Sequence, residues 1–173
     1  MISALLVVDA QNGVFGSSNP PYLSENVIEN MSKLISYANS RKHKTVFIQH
    51  EIPGVLEPES DAWKIVAGLN SMGSAVKIRK KSPDSFNGTD LSAYLDEEGI
   101  EHVIICGYST DFCIDRTAFS AASRGYQVTL IGDAHTTHSK PHLDALSIID
   151  HHHFTLSKHP KISLVSTQEF TAD

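Results

Sequence analysis

The chain of 173 residues has only two cysteines, Cys106 and Cys113. Two thiols so close in sequence do not make a disulfide framework, so a reducing, cytoplasmic setting is expected. No apolar run reaches the roughly 18 residues of a membrane span, which excludes a membrane partner of the spanning kind. The opening stretch, MISALLVVDAQNG, has no basic residues ahead of its apolar run and meets an aspartate, so it reads as a first strand and not as a signal peptide. Basic residues are in the minority, 14 Lys and Arg against 20 Asp and Glu, for a formal charge of −6. That balance argues against a general nucleic-acid binder. Internal repeats and low-complexity linkers are missing too. What is present is ordinary globular composition, 40% hydrophobic and 20% charged. A single domain over residues 1–173 is expected.

Short apolar runs alternate with amphipathic stretches along the whole chain. Ile2 to Val8, Thr45 to Gln49, Ser74 to Arg79, His102 to Gly107, Gln127 to Ile131 and Ile162 to Val165 read as strands. Between them, Ser24 can cap a helix whose Val27, Ile28, Met31, Leu34, Ile35 and Ala38 recur at helical spacing. A short helix is expected over Asp90 to Glu98, another from about Phe112 to Arg124 with Gly125 as its stop, and a third from Pro141 to about Phe154. Such alternation implies an α/β three-layer sandwich, a six-stranded mainly parallel sheet with helices on both faces. Ile52 to Asp61, with two prolines, a glycine and several acids, reads as a long loop.

In an open parallel sheet, sites form beyond the carboxyl ends of the strands. Asp9 and Gln11 follow the first strand, His50 and Glu51 the second, and Lys80 and Lys81 the third. Ser109, Thr110, Asp111 and Cys113 follow the fourth, and Asp133, His135, Thr136, Thr137 and His138 the fifth. A carboxylate, a lysine and a thiol thus leave three strands at one edge, a possible nucleophile with its activators. A thiol at a helix start feels the positive end of the macrodipole, and a nearby ammonium adds to that field, so both favour the thiolate. A neighbouring carboxylate can act as the base. Taken singly, Cys113 could equally be a small buried apolar residue, Asp9 a cap and Lys80 a surface charge; their joint pattern is what points to chemistry.

The blocks LLVVDAQNGVF, KKSPDSFNGTDL, VIICGYSTDFCIDRTAFSAASRGYQVTLIGDA and IIDHHHF, in this order, resemble the isochorismatase-like cysteine hydrolase superfamily. Its members include nicotinamidases, N-carbamoylsarcosine amidases and ureidoacrylate hydrolases. The resemblance runs from about Leu5 to Phe170. It implies a Rossmann-like fold and a catalytic triad of Asp9, Lys80 and Cys113. Lys80 is chosen because the family's lysine lies six positions before a phenylalanine, here Phe86, with Lys81 as the alternative. Asp84-Ser85 departs from the family's Ser-Ala before that phenylalanine. The resemblance further implies a cis peptide at Tyr108–Ser109 and an oxyanion hole made by the backbone N–H groups of Ser109 and Cys113.

The cysteine favours C–N chemistry over the vinyl-ether cleavage of isochorismatases. The metal-binding Asp-x-His of nicotinamidases is replaced by Gln49-His50-Glu51, so neither a bound metal nor any other cofactor is expected. His151, His152 and His153 are neighbours on one helix, pointing about 100° apart, and cannot share one ion. Gln11, Phe15, Tyr108 and Phe112 are candidate substrate-binding residues, with Tyr22 and Trp63 as further possible walls.

The expected function is hydrolysis of a small non-peptide amide through a Cys113 thioester. The alternatives are a vinyl-ether or ester hydrolase and a non-catalytic binding protein on the same fold. A homodimer or homotetramer is expected, in part from the resemblance and in part from the apolar, aromatic helix ending in His151 to Phe154.

Overall fold

The computed structural model describes residues 1–69 and 75–172. In chain order the elements are β1 (Ser3–Val8), a one-turn helix α1 (Asn12–Phe15), α2 (Ser24–Ser40), β2 (Lys44–His50), β3 (Val76–Lys80) and α3 (Leu91–Glu97). They continue with β4 (His102–Tyr108), a π-helical turn (Thr110–Ile114) leading directly into α4 (Asp115–Ser123), β5 (Gln127–Thr136), α5 (Ala145–Leu156), β6 (Ile162–Val165) and α6 (Thr167–Thr171). The six strands form one sheet in the order β3-β2-β1-β4-β5-β6. Every pairing in it is parallel.

The side-chain period of two divides each central strand between two cores. Ala4, Leu6 and Val8 of β1 pack with Leu91 and Leu95 of α3 and with Ala118, Ala121 and Ala122 of α4. Leu5 and Val7 face the other way, onto Val27, Met31, Leu34, Ile35 and Ala38 of α2. All six residues of β1 are buried, which is why the strand reads as an unbroken apolar run. The result is the expected helix–sheet–helix sandwich. Among the described residues no helix is long and apolar enough to cross a membrane.

Several boundaries differ from the sequence reading; Ser24, expected as a cap, is the first residue of α2, with Leu23 before it at the N-cap. β5 does not stop at Ile131 but continues to Thr136. The ladder to β4 slips on the way, with Ile105 opposite Leu130 but Gly107 opposite His135. Gly132 and Asp133 therefore mark an irregularity within the strand and not its end. The helix expected from Phe112 starts earlier, as the π-helical turn at Thr110. Pro141 does not open a helix, since Lys140 and Leu143 close a turn on themselves. Helix α5 begins at Ala145, where the Asp144 carboxylate accepts a hydrogen bond from the Ser147 N–H at 2.9 Å. Ser74, the expected start of the third strand, lies outside the described residues; the strand itself runs Val76–Lys80.

Strand order reverses between β1 and β4, so their carboxyl ends form the switch point where open α/β sheets place ligands. Gly107 occupies that crossing with φ +120°, and a Cβ there would collide with the Val8 carbonyl oxygen. Only glycine lets β4 lie this close to the end of β1.

Candidate active site

Asp9 follows β1 directly, in a left-handed conformation with φ +51°. A carboxylate residue held in this sparsely populated region turns the chain sharply, and such residues cluster at functional sites. The Asp9 N–H donates to the Ile48 carbonyl at 2.8 Å, which ties the bend to β2. Lys80, the last residue of β3, is almost completely buried. Its Nζ lies 3.1 Å from each of Asp9 Oδ2, His50 Nδ1, the Ser82 carbonyl and Cys113 Sγ, four polar neighbours around three N–H bonds. Lys81 points outward with its side chain 83% exposed, 4.0 Å from the Glu51 carboxylate. The side chains of Asp9, Lys80 and Cys113 therefore meet, and that of Lys81 does not join them.

Cys113 sits in the π-helical turn, buried like its neighbour Ile114. The thiol is pushed up to about 12, first by burial and then by the Asp9 charge, with Lys80 opposing both. The expectation of a depressed thiol pKa fails here because desolvation and a carboxylate outweigh one ammonium. With its pKa held up in this way, loss of the Cys113 proton calls for a nearby acceptor. Asp9 Oδ1 is buried without a hydrogen-bond partner among the described residues. Cys106, in mid-strand, is fully buried away from the cluster, and burial alone drives its thiol far above the ordinary range.

A cavity of about 480 Å³ opens onto Asp9, His50, Ser109 and Cys113. Tyr108 and Phe112 line it. The peptide between Tyr108 and Ser109 is cis.

Gln11 and Phe15 do not border this cavity. The Gln11 side chain is spent on the protein itself: Nε2 donates to the His50 carbonyl at 3.0 Å and the Trp63 carbonyl at 2.9 Å, and Oε1 accepts from the His50 N–H at 2.8 Å. Phe15 is buried behind the wall, its ring edge-on to Tyr108 at 6.2 Å. Tyr22 borders a different cavity. Trp63 is buried with its ring 5.0 Å from the Arg79 guanidinium.

The sequence places the pocket-shaping side chains in the loops Gly13 to Tyr22, Ile52 to Trp63 and His135 to His142, and six further wall side chains fall within them; that of Asp111 is the seventh, outside them. Val14, Ile52, Val55 and Leu56 supply an apolar side. Asp111, His138 and Lys140 supply a polar one. Asp111 Oδ1 accepts from Thr137 Oγ1 at 2.6 Å and Oδ2 pairs with Lys140 Nζ at 3.2 Å. Burial raises the Asp111 pKa, but those two hydrogen bonds outweigh it and hold the carboxyl below its ordinary value. His138 links Tyr108 OH to the Asn19 carbonyl, each at 2.8 Å. His50, Asp111 and His138 all follow strand ends, which was the available signal.

The three histidines of α5 diverge. His151 is exposed, His152 Nδ1 contacts Asp115 at 3.1 Å, and His153 Nε2 lies 2.9 Å from His135 Nε2. Asp9, His50 and Cys113 instead bring three potential metal-ligating atoms within 4.8 Å of one another.

A family profile described as the isochorismatase domain matches residues 3–154. This chain belongs to the isochorismatase family. It is 30% identical over 159 residues to the uncharacterised isochorismatase family protein YddQ of Bacillus subtilis, covering 89% of this chain and 88% of that one. Against a streptothricin hydrolase of Streptomyces noursei it is 28% identical, covering 81% of this chain and 51% of the relative, so it spans about half that protein's length. Nicotinamidase 3 of Arabidopsis thaliana is 28% identical over 150 residues, 79% of this chain and 74% of that one. Among solved structures, an isochorismatase hydrolase from Oleispira antarctica superposes with a TM-score of 0.91 at 27% identity, over 99% of this chain and 97% of that one.

Proposed function

We propose that this isochorismatase-family hydrolase cleaves the C–N bond of a small, uncharged amide through a thioester on Cys113. The observation that carries the reading is the buried Lys80 Nζ, which holds Asp9 Oδ2 and Cys113 Sγ at 3.1 Å each. Asp9 takes the thiol proton as Sγ attacks the amide carbonyl carbon. Lys80 balances the negative charge as it passes between carboxylate and sulfur. The backbone N–H groups of Ser109 and Cys113 receive the oxyanion. When the C–N bond breaks, the proton on Asp9 passes to the departing nitrogen, leaving a thioester. Asp9 then deprotonates a water that attacks the thioester; the acid leaves, and the proton returns to sulfur.

The cavity supports an uncharged substrate. Its walls carry the Asp9 and Asp111 carboxylates, while its one lysine, Lys140, is already paired with Asp111. Both carboxylates are matched by a lysine, Asp9 by Lys80 and Asp111 by Lys140, so among the described residues no unpaired cation lines the cavity to receive a dicarboxylate such as isochorismate. Nicotinamidase 3 is an amidase by name, which supports C–N cleavage.

The test is a panel of small primary amides and ureido compounds, scored for ammonia release, with isochorismate scored for pyruvate. Ammonia release together with an acyl adduct on Cys113, trapped by mass spectrometry, is expected. Pyruvate release without any adduct would replace this reading by vinyl-ether hydrolysis.

A further inference from the structure

The Lys80 ammonium sits where a metal ion could sit. Tetrahedral zinc, with bonds of about 2.3 Å to sulfur and about 2.0–2.2 Å to nitrogen or oxygen, requires donors roughly 3.4–3.6 Å apart. Cys113 Sγ lies 3.7 Å from His50 Nδ1, and His50 Nδ1 lies 3.5 Å from Asp9 Oδ2. Two of the three donor pairs therefore have zinc spacing already, all three ligand atoms lie within 4.8 Å of one another, and the set mixes thiolate, imidazole and carboxylate, the ligand types zinc takes. Lys80 Nζ, 3.1 Å from each donor, occupies the space between them with its side chain wholly buried. The Ser82 carbonyl also accepts from Nζ, at 3.1 Å, and the cavity leaves room for a solvent ligand in the fourth position.

The orientation of His50 fits a ligand. An ammonium can only donate, so the His50 Nδ1 facing it carries a lone pair, the form a metal binds. Gln11 clamps the His50 backbone on both its N–H and its carbonyl. Asp9, His50 and Cys113 all border the cavity, which gives an ion an entry path.

We propose that the Lys80 ammonium is the resident cation of a preformed tetrahedral site for a thiophilic divalent metal, and that it keeps such ions off Cys113. Removing the ammonium while leaving the three donors exposes the site. A metal entering there would be held by the sulfur as thiolate, with the proton released to solvent.

Cobalt(II) is the probe, because a thiolate ligand gives it a near-ultraviolet charge-transfer band and tetrahedral geometry gives intense visible bands. The full chain is titrated as wild type, Lys80→Ala and Lys80→Met; the second variant keeps the bulk of the buried stem should the first not fold. Circular dichroism establishes folding.

Expected are no bands for the wild type and stoichiometric binding by a folded Lys80 variant. Adding His50→Ala to that variant should weaken binding by at least about 10-fold. A folded Lys80 variant that takes up no cobalt, or a wild type that binds as tightly as the variant, overturns the proposal. A second readout needs no variant. Equimolar zinc should leave the rate of Cys113 alkylation by iodoacetamide in the wild type unchanged, and protection would overturn the proposal as well. Neither readout depends on the amide reaction, so the inference stands or falls separately from the proposed function.

Discussion

Two thiols and two lysines that look alike in sequence differ in surroundings, and substitutions can read the difference. Cys113 borders the cavity, so Cys113→Ser and Cys113→Ala should lower turnover by at least about three orders of magnitude while shifting the thermal midpoint little. Cys106→Ala should do the opposite, because the thiol fills a closed position in β4 with no route to substrate. An active Cys113→Ala protein would end the nucleophile assignment. For the lysines, Lys80→Ala leaves the buried Asp9 carboxylate without its counter-charge, at a cost of about 3–5 kcal/mol by the usual behaviour of broken buried pairs. Activity should be lost along with that stability. Lys81→Ala removes a solvated side chain and should change both by little. Urea midpoints and turnover numbers for the two variants decide the matter; loss of activity in Lys81→Ala alone would move the role to that residue.

Elements explain why part of the site was legible and part was not. Asp9, Lys80 and Cys113 each follow a strand whose apolar run marks its own end, so strand-end logic brings them to one edge. Gln11 and Phe15 also follow β1, but there the chain leaves regular structure, and no period fixes where a side chain points. Gln11 folds back to tie β2 to the loop carrying Trp63, and it shapes the site without reaching the cavity. Gln11→Ala would remove the side-chain partner of the buried His50 N–H and of its carbonyl, each worth about 1–3 kcal/mol when unpaired, while the Trp63 carbonyl keeps its bond from Gln49 Nε2 at 3.0 Å. Denaturant unfolding should therefore show a loss of several kcal/mol, with KM for the remaining folded protein changed far less. A variant of unchanged stability and raised KM would restore Gln11 to substrate binding. His138 and Lys140 lie in the loop His135 to His142 that the sequence marks as pocket-shaping, but it does not say how they reach the cavity. The ladder slip after Ile105 lets β5 run on past Gly132, and that extra length carries the following loop over the cavity. A glycine-aspartate pair gives the same sequence signal whether a strand ends or slips.

At the scale of the whole molecule, acid stability and assembly are the measurable properties. His135 is fully buried, accepts or donates to Thr110 Oγ1 at 2.8 Å and contacts His153, and burial first, then the neighbouring histidines, lower its pKa to about 3. The unfolded chain would bind this proton near pH 6.5 and the folded one only near pH 3, so stability falls as pH drops through that window. The slope is about 1.4 kcal/mol per pH unit. Urea midpoints between pH 7 and pH 4.5 should decline steeply, and His135→Gln should flatten the decline; an unchanged slope would assign it to other groups. The surface carries the second prediction. Phe112, Phe119, Leu146 and Phe154 are 49%, 56%, 48% and 64% exposed. They lie on the π-helical turn, α4 and α5, and these two helices are held together by the His152–Asp115 contact at 3.1 Å. Exposed apolar and aromatic residues on adjoining elements are the residue types that subunit interfaces use. A homodimer or a larger homo-oligomer through this face is expected. Phe112 also borders the cavity, so a partner seated on it would close one side of the candidate active site. Light scattering should give at least twice the chain mass of 18.9 kDa, and Phe119→Glu with Phe154→Glu should return it to that mass. Dissociation should raise KM more than it lowers kcat, because the reacting groups come from one chain while the cavity wall would not. A wild type of 18.9 kDa at working concentration would remove the interface and with it any contribution of a second copy to the cavity.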